Sequence, residues 1–314
     1  ARLTPRDLAH GDRLACQRVV TGDIAVRVPD EIFGVQRWHC RVRSARCVGT
    51  MVREIIAELP DDERIDFRAG SYVQVTVPPY QASFRDFRIE ESFRAEWDRL
   101  DLWRLEVAST MPVTRAYSLA DPPEEQRTIR LLVRLATPPA NAPPDTSPGV
   151  ASSYLFQVEA GASLEVAGPY GCFFADESER EMIFIGGGAG MAPLRSHILD
   201  QLSRLQSPRR ISFWYGARSR QELFYTEEFE RLQREHERFS WVPALSEPRD
   251  ADHWDGEVGF IHEVVERRYL AMHPRPENCE YYLCGPPLMA QATIAMLGRL
   301  GVAPDSIHFD DFGG

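Results

Sequence analysis

Residues 182–193 read Met-Ile-Phe-Ile-Gly-Gly-Gly-Ala-Gly-Met-Ala-Pro, and this stretch determines the architecture predicted for the second half of the chain. The apolar residues predict a buried strand, and the glycines predict a tight turn into the helix that follows. Glycines let a backbone approach a pyrophosphate, and a helix amino terminus offers unpaired N–H groups. Pro193 suits a first helical turn, where no N–H is required. The stretch therefore predicts a dinucleotide-binding turn at the carboxyl end of a strand.

This turn departs from the usual dinucleotide fingerprint in two ways. Proline stands in place of the third glycine, and no acidic residue ends the second strand to bind a ribose hydroxyl. Instead, Gly216-Ala-Arg218-Ser-Arg220 follows that strand, and either arginine could pair with a 2′-phosphate. The residues alone therefore leave both NADH and NADPH open.

From Gly171 onwards, short apolar strands alternate with helical segments. The predicted strands are residues 182–186, 211–215, 241–245, 281–284 and 306–309. The predicted helices are residues 194–205, 227–238, 261–269 and 288–300. Alternation at this spacing predicts a doubly wound parallel sheet with helices on both faces.

The first half of the chain has the pattern of a β domain. Its predicted strands are residues 38–42, 71–77, 102–108, 129–135 and 163–166, separated by glycine, proline and aspartate. Strands at that spacing predict a β-barrel or sandwich. The proline-rich residues 137–149 predict a loop, and residues 80–103, rich in aromatic and charged side chains, predict an insertion between two strands.

The composition excludes several chemistries. All 36 basic residues are arginines, so the chain of 314 residues has no lysine for a Schiff base or a phosphate loop. The net charge of −11 argues against a nucleic-acid binder, and no run approaches the roughly 20 apolar residues of a membrane span. The eight histidines and six cysteines form no metal-binding spacing, so we predict no metal site and reduced thiols. Cys279 and Cys284 should point to opposite faces of one strand.

Three further motifs could hold cofactors. Arg115-Ala116-Tyr117-Ser118 ends a strand and offers a planar fork for phosphate, an aromatic face and a hydroxyl. Gly149-Val150-Ala-Ser152-Ser153 predicts a helix start with free N–H groups and two hydroxyls for an anion. Cys284-Gly285-Pro286-Pro287 ends the fourth parallel strand, at the edge where open sheets bind ligands. A buried cysteine followed by a purely structural turn is the alternative for that last motif.

The order of these four motifs resembles the ferredoxin–NAD(P)H reductase superfamily. The resemblance implies an antiparallel β-barrel domain that binds FAD, followed by a doubly wound α/β domain that binds NADH. The implied flavin-binding residues are Arg115, Ala116, Tyr117, Ser118, Gly149, Val150, Ser152, Ser153 and Phe312. The implied NADH-binding residues are Gly188, Gly190, Ala192, Pro193, Gly216, Arg218, Cys284, Gly285 and Pro286. Ser118, near the flavin N5, and Cys284, near the nicotinamide, are the implied catalytic residues.

Within that superfamily, the sequence is similar over nearly its whole length to the F-subunit family of sodium-translocating NADH:quinone reductases. The segments that carry this similarity are residues 67–75, 80–103, 115–119 and 310–314. The resemblance implies hydride transfer from NADH to FAD and single-electron transfer to an iron–sulfur centre, within a complex that reduces ubiquinone and exports sodium. It also implies the other subunits of that complex as partners, no nucleic acid, and a place on the cytoplasmic face of the bacterial inner membrane.

Residues 11–17, which include Cys16, resemble the segment that carries the last cysteine of a plant-type [2Fe–2S] domain. Such a cluster needs four thiolates, and no cysteine precedes Cys16. We therefore expect Cys16 to be a lone thiol, and the chain to lack the membrane anchor and most of the ferredoxin domain and to be soluble. The expected domains are residues 1–35 (the ferredoxin remnant), 36–178 (FAD) and 179–314 (NADH).

Two other functions fit the same motifs. One is the reductase component of a multicomponent monooxygenase. The other is a non-catalytic flavin-binding module that docks a partner through exposed aromatic residues of the insertion at 80–103, although we favour a lid packed on the barrel as the role of that insertion.

Overall fold

The computed structural model describes residues 22–23, 34–139, 142–143 and 146–310. The predictions for Cys16 and Phe312 therefore lie outside the described residues. The described part of the chain forms two six-stranded sheets, one antiparallel and one parallel.

The first sheet is antiparallel and curled. In spatial order it contains β6 (Val113–Ser118), β3 (Tyr72–Val77), β8 (Ser163–Tyr170), β1 (Gln36–Gly49), β2 (Val52–Glu58) and β7 (Thr128–Arg134). Side chains along β1 alternate between solvent and a core that holds Trp38, Cys40 and Val42. The sheet curls far enough for Leu119, just after β6, to pair with Leu131 in β7 at the other edge. The predicted barrel is confirmed in this half-barrel form.

The insertion packs against the core of this half-barrel. It contains β4 (Tyr80–Ser83) and α1 (Glu91–Arg99), and β4 pairs with β5 (Glu106–Ser109), which follows the insertion. Four of its aromatic side chains are buried in the core of the first sheet: Phe84, Phe87, Phe93 and Trp97. They are therefore not available as the exposed docking surface of the alternative function. The predicted strand at 102–108 is wrong in its first part, where Leu102–Arg104 forms a 3-10 turn.

The second sheet is parallel, with helices on both faces, as predicted. Its spatial order is β12 (Glu257–Val258), β11 (Phe239–Leu245), β10 (Ile211–Ala217), β9 (Met182–Gly187), β13 (Glu280–Cys284) and β14 (Ile307–Asp310). Helices α3 (Met191–Leu199) and α4 (Thr226–Glu235) pack on one face, and α5 (Ile261–Arg268) and α6 (Pro287–Arg299) pack on the other. Cys284 joins the first of these cores and Cys279 the second, so the two thiols do lie on opposite faces. Helix α2 (Val150–Gln157) packs against the first sheet.

A buried ionic cluster joins the two sheets. The guanidinium of Arg195, in α3, donates to Asp121 Oδ1 at 2.8 Å and to the carbonyl oxygen of Ala120 at 2.6 Å, both beyond β6. Arg130, in β7, pairs with the same Asp121 carboxylate at 2.8 Å and with Glu54 at 2.7 Å. Burial alone would raise the pKa of Glu54, but hydrogen bonds from Tyr225 and Arg130 lower it. Removing one partner of such a cluster costs about 3–5 kcal/mol, so the cluster fixes how the sheets meet.

Candidate functional site

The glycine-rich turn after β9 packs directly against the end of β13. A Cβ atom added to Gly190 would lie 2.0 Å from the carbonyl oxygen of Cys284, and one added to Gly285 would lie 3.0 Å from the backbone nitrogen of Gly187. Two of the predicted motifs therefore touch through their backbones, and these glycines are required by close packing. This contact explains both glycines without reference to a ligand.

Gly188 is the residue of this turn that faces open space. Its φ is +56°, and a Cβ added there would meet no atom within 4 Å. Its neighbours Gly187, Ala189 and Gly190 are buried, whereas Gly188 is half-buried. A left-handed glycine beside the start of α3 leaves room for a phosphate to approach the backbone N–H groups. The turn thus fits the pyrophosphate of a dinucleotide.

A buried tyrosine that we did not predict supports the turn. The hydroxyl of Tyr215, in β10, donates to the carbonyl oxygen of Gly188 at 3.0 Å. Burial raises the pKa of this hydroxyl well above its usual value, so it remains a donor at neutral pH. The aromatic residues of the predicted strand at 211–215 gave no sign of this contact.

The Arg-Ala-Tyr-Ser motif lies along β6, with a different environment at each residue. Arg115 and Ala116 are exposed, and the guanidinium of Arg115 donates to the carbonyl oxygen of Thr114 at 2.8 Å. Tyr117 is half-buried, and burial raises the pKa of its hydroxyl. An exposed cation therefore lies two residues along the strand from an aromatic ring that packs partly against the core of the first sheet, and the pair could hold a pyrophosphate and a flavin.

Ser118 connects this strand to the parallel sheet. It is buried, and its hydroxyl donates to Asp310 Oδ2 at 3.1 Å, at the end of β14. Asp310 pairs in register with Cys284 at the end of β13, and Cys284 is fully buried. The two residues predicted as catalytic are thus brought to the same junction through Asp310, which the sequence did not single out.

Two tyrosines beside this junction were also not predicted. Tyr72 pairs in register with both Ser118 and Tyr170, and the rings of Tyr72 and Tyr170 stack with centroids 5.5 Å apart. Burial, followed by the nearby Cys172, raises the pKa of Tyr72. The half-barrel therefore presents an aromatic wall next to Ser118.

The start of α2 is more closed than its sequence suggested. The hydroxyl of Ser152 donates to the carbonyl oxygen of Gly149 at 3.0 Å and accepts the N–H of Ala136 at 3.1 Å. Ser153 is fully buried, and Val150 accepts a hydrogen bond of 2.5 Å from the Tyr80 hydroxyl through its carbonyl oxygen. Because the hydroxyl of Ser152 is already used, the first backbone N–H groups of the helix are the better candidates for an anion.

The two arginines after β10 differ in their contacts. The guanidinium of Arg220 donates to the carbonyl oxygen of Asp252 at 3.0 Å, so it already has a protein partner. Arg218 is exposed, and its guanidinium forms no hydrogen bond or ion pair with any residue that the structure describes. Gly216 lies beside Ile261, 3.0 Å from its Cβ if a Cβ is added. Arg218 is therefore the cation that fits a phosphate here.

Other predicted residues have a packing role. Ala192 and Pro193 are buried in the first turn of α3, and Ala192 belongs to the core of the sheet. Pro286, by contrast, is exposed at the start of α6. Because the side chain of Ala192 is buried, this residue could contact a ligand only through its backbone.

Two family models and several known proteins match this chain. Residues 101–174 match the model of the oxidoreductase FAD-binding domain, and residues 184–294 match that of the oxidoreductase NAD-binding domain. The whole chain is 51% identical to the F subunit of the Na(+)-translocating NADH-quinone reductase of Methylococcus capsulatus and 50% identical to that of Pseudomonas aeruginosa, and it covers 77% of each. The chain belongs to the F-subunit family of these reductases.

Family membership confirms the resemblance drawn from the motifs: the chain is an oxidoreductase with FAD- and NAD-binding domains, and NADH is the nucleotide of its family. A solved cytochrome P450 reductase from Amycolatopsis is 25% identical, with a TM-score of 0.67 over 88% of this chain and 70% of that one. The fold is thus shared with monooxygenase reductases, but the relatives at about half identity favour the quinone-reductase subunit. Among the described residues, no helix is both long and apolar enough to cross a membrane.

Proposed function

We propose that this chain is the electron-input subunit of a sodium-pumping NADH:quinone reductase, in which NADH is oxidised with a bound FAD as the hydride acceptor. The electrons would then pass singly to an iron–sulfur centre. The observation that carries the proposal is the contact between Ser118 and Asp310, 3.1 Å long, next to Cys284. It brings the end of the Arg-Ala-Tyr-Ser strand to the carboxyl edge of the parallel sheet, where open sheets bind nucleotides.

On the half-barrel side, the proposed flavin contacts come from the last residues of β6. Arg115 would bind the pyrophosphate, Tyr117 would pack on the flavin, and Ser118 would lie near its reactive nitrogen. The first N–H groups of α2 would bind phosphate together with Arg115, because the hydroxyl of Ser152 is used in the turn.

On the parallel-sheet side, most of the proposed contacts come from the backbone. Gly188 would admit the pyrophosphate of NADH, and Arg218 would lie near its adenosine end. Cys284 and Gly285 would border the nicotinamide, since they end the strand next to β14. The carboxylate of Asp310 would orient the Ser118 hydroxyl, which could otherwise rotate.

The cofactor supplies the redox chemistry, because a flavin accepts a hydride and releases electrons one at a time. The chain supplies orientation: the ionic cluster around Arg195 and Asp121 holds the two sheets, and with them the two binding surfaces, at a fixed distance. The half-buried, stacked rings of Tyr72 and Tyr170 would help to keep water from the reacting face.

The finer assignments rest on family resemblance. We propose the domain limits of residues 36–178 and 179–314, with the boundary between β8 and β9, and the two matched regions at 101–174 and 184–294 support that division. We propose the other subunits of the complex as partners and the cytoplasmic face of the inner membrane as the location.

The test is anaerobic reduction of the purified, FAD-loaded protein by NADH. The flavin absorbance at about 450 nm should bleach when one equivalent of NADH is added. NADPH at the same concentration should bleach it more slowly. A yellow protein that NADH fails to bleach would overturn the proposal, and faster bleaching by NADPH would overturn the choice of nucleotide.

A further inference from the structure

Three metal-ligating side chains meet at the amino edge of the parallel sheet, opposite the edge proposed to bind NADH. Glu181 directly precedes β9, and Cys279 directly precedes β13. The N–H of Glu280 donates to the carbonyl oxygen of Glu181 at 2.8 Å, which ties the starts of these two strands together. His273 lies in the loop before Cys279, after the turn Leu270–Met272. The fold thus assembles a Glu-His-Cys group that has no recognisable spacing in the sequence.

The ligand atoms of this group are spaced for one small cation. His273 Nε2 lies 3.4 Å from Glu181 Oε2 and 3.9 Å from Cys279 Sγ. All three ligand atoms lie within 4.8 Å of one another. Tetrahedral zinc, with ligand distances of about 2.0–2.3 Å, places neighbouring ligand atoms roughly 3.3–3.6 Å apart. Two of the three pairs are already within a few tenths of an ångström of that range.

The surroundings orient the carboxylate and leave one side accessible. The hydroxyl of Tyr269 donates to Glu181 Oε1 at 2.5 Å, so that Oε2 is the atom nearest His273. Such a contact to the non-ligating atom is how proteins orient metal ligands. The side chains of His273 and Glu181 are 14% and 15% exposed, whereas Cys279 is buried. A cation could therefore enter from the solvent side and keep one water molecule.

Metal coordination would replace two weak hydrogen bonds that His273 and Cys279 now form with the backbone of Arg275. His273 Nδ1 accepts the N–H of Arg275 at 3.2 Å, and the thiol of Cys279 donates to the carbonyl oxygen of Arg275 at 3.8 Å. Binding through Nε2 moves the ring proton to Nδ1, and the thiol proton leaves to solvent. Arg275 is exposed, so water can take the place of both protein partners.

We propose that Glu181, His273 and Cys279 form a Zn²⁺ site whose fourth ligand is water. A thiolate and an imidazole favour Zn²⁺ over Mg²⁺ or Ca²⁺, which prefer oxygen ligands. The metal would tie the starts of two central strands to the loop after α5. The site is independent of NADH oxidation, so the proposed function could hold without it.

The probe is Co²⁺, because a thiolate bound to tetrahedral Co²⁺ gives a charge-transfer band that other ligands do not. Chelator-treated protein carrying Cys172→Ser, which removes an exposed thiol, should bind one equivalent of Co²⁺ with that band and lose the band on addition of Zn²⁺. Cys279→Ala in the same background should abolish the band. His273→Gln, at a partly exposed position, should keep the fold and weaken Zn²⁺ binding at least about tenfold.

A thermal measurement gives a second readout. Excess Zn²⁺ should raise the Tm of the protein with His273 and should raise that of His273→Gln much less, because a ligand stabilises only the state that binds it. Failure to bind one equivalent of Co²⁺ would overturn the proposal. So would a charge-transfer band that persists in Cys279→Ala, or an equal rise in Tm for both proteins.

Discussion

The turn before α3 and the turn before α2 have similar sequences, with glycine followed by small residues at a helix start, but they are built differently. In the turn before α3, backbone packs on backbone, and Gly188 is left facing open space. In the turn before α2, the hydroxyl of Ser152 bridges Gly149 and Ala136, and the space above Gly149 is filled by side chains. Whether a glycine at a helix start leaves room for a ligand thus depends on the side chains that pack beside it.

The largest difference between the turns should appear when each glycine gains a methyl group. In Gly190→Ala the new Cβ would meet the carbonyl oxygen of Cys284 at 2.0 Å, and backbone at the end of a central strand cannot move aside. In Gly149→Ala it would meet the Ala136 Cβ at 2.7 Å and the Ser152 hydroxyl, which can rotate, at 2.8 Å, and the nearest backbone atom, the Ala136 carbonyl oxygen, lies 3.6 Å away. We expect Gly190→Ala to lower the free energy of unfolding by about 3 kcal/mol and NADH oxidation at least tenfold, and Gly149→Ala to do clearly less. Denaturant unfolding and NADH turnover measure the two effects.

Gly188→Ala is the matched control within the first turn. Its Cβ would enter open space, so only the left-handed backbone conformation opposes it, at about 1–2 kcal/mol. Equal losses of stability in Gly190→Ala and Gly149→Ala would contradict the distinction between the two turns.

A smaller effect should come from Ser152→Ala, which removes both hydrogen bonds of the hydroxyl. We expect about 1 kcal/mol of lost stability, because the N–H of Ala136 and the carbonyl oxygen of Gly149 lose this partner. FAD retention after gel filtration should stay unchanged. Loss of FAD without a change in Tm would show instead that Ser152 binds the cofactor directly.

The smallest effect should come from Tyr215→Phe, which keeps the ring and removes the hydrogen bond to Gly188. Loss of one hydrogen bond of about 0.5–1.5 kcal/mol should raise the KM for NADH roughly three- to tenfold. The kcat with an artificial acceptor at saturating NADH should stay near that of the parent protein, because Tyr215 supports the turn and does not reach the reacting atoms. A fall in kcat with an unchanged KM would contradict a positioning role.

Much of the parallel sheet could be predicted from the sequence, because its central strands are buried on both faces and appear as continuous apolar runs. Strand β2 could not be predicted in this way, because its sequence is not a continuous apolar run. It carries Arg53 and Glu54 at buried positions, where they bond to partners distant in sequence, and these charges interrupt the apolar pattern. Patterns in one segment cannot show that a distant segment neutralises its charges.

In the candidate site, too, local features could be predicted from the sequence, whereas contacts between distant residues could not. The four motifs were recognisable because their chemistry lies within a few neighbouring residues. The contacts from Ser118 to Asp310 and from Tyr215 to Gly188 join residues 192 and 27 positions apart, and only the fold brings them together. Arg220 is suited to phosphate by residue type, but its guanidinium already donates to Asp252, which its own segment could not show.

The buried ionic cluster between the sheets determines how the chain can be divided. A break between β8 and β9 would leave Arg195 without Asp121 in one fragment and Asp121 without Arg195 in the other. It would also uncover Val52, Ala120 and Leu132, which pack with side chains of α3 and β9 in one core. Each cofactor-binding half therefore depends on the other for its stability. We expect either half, when produced separately, to be unstable and to aggregate.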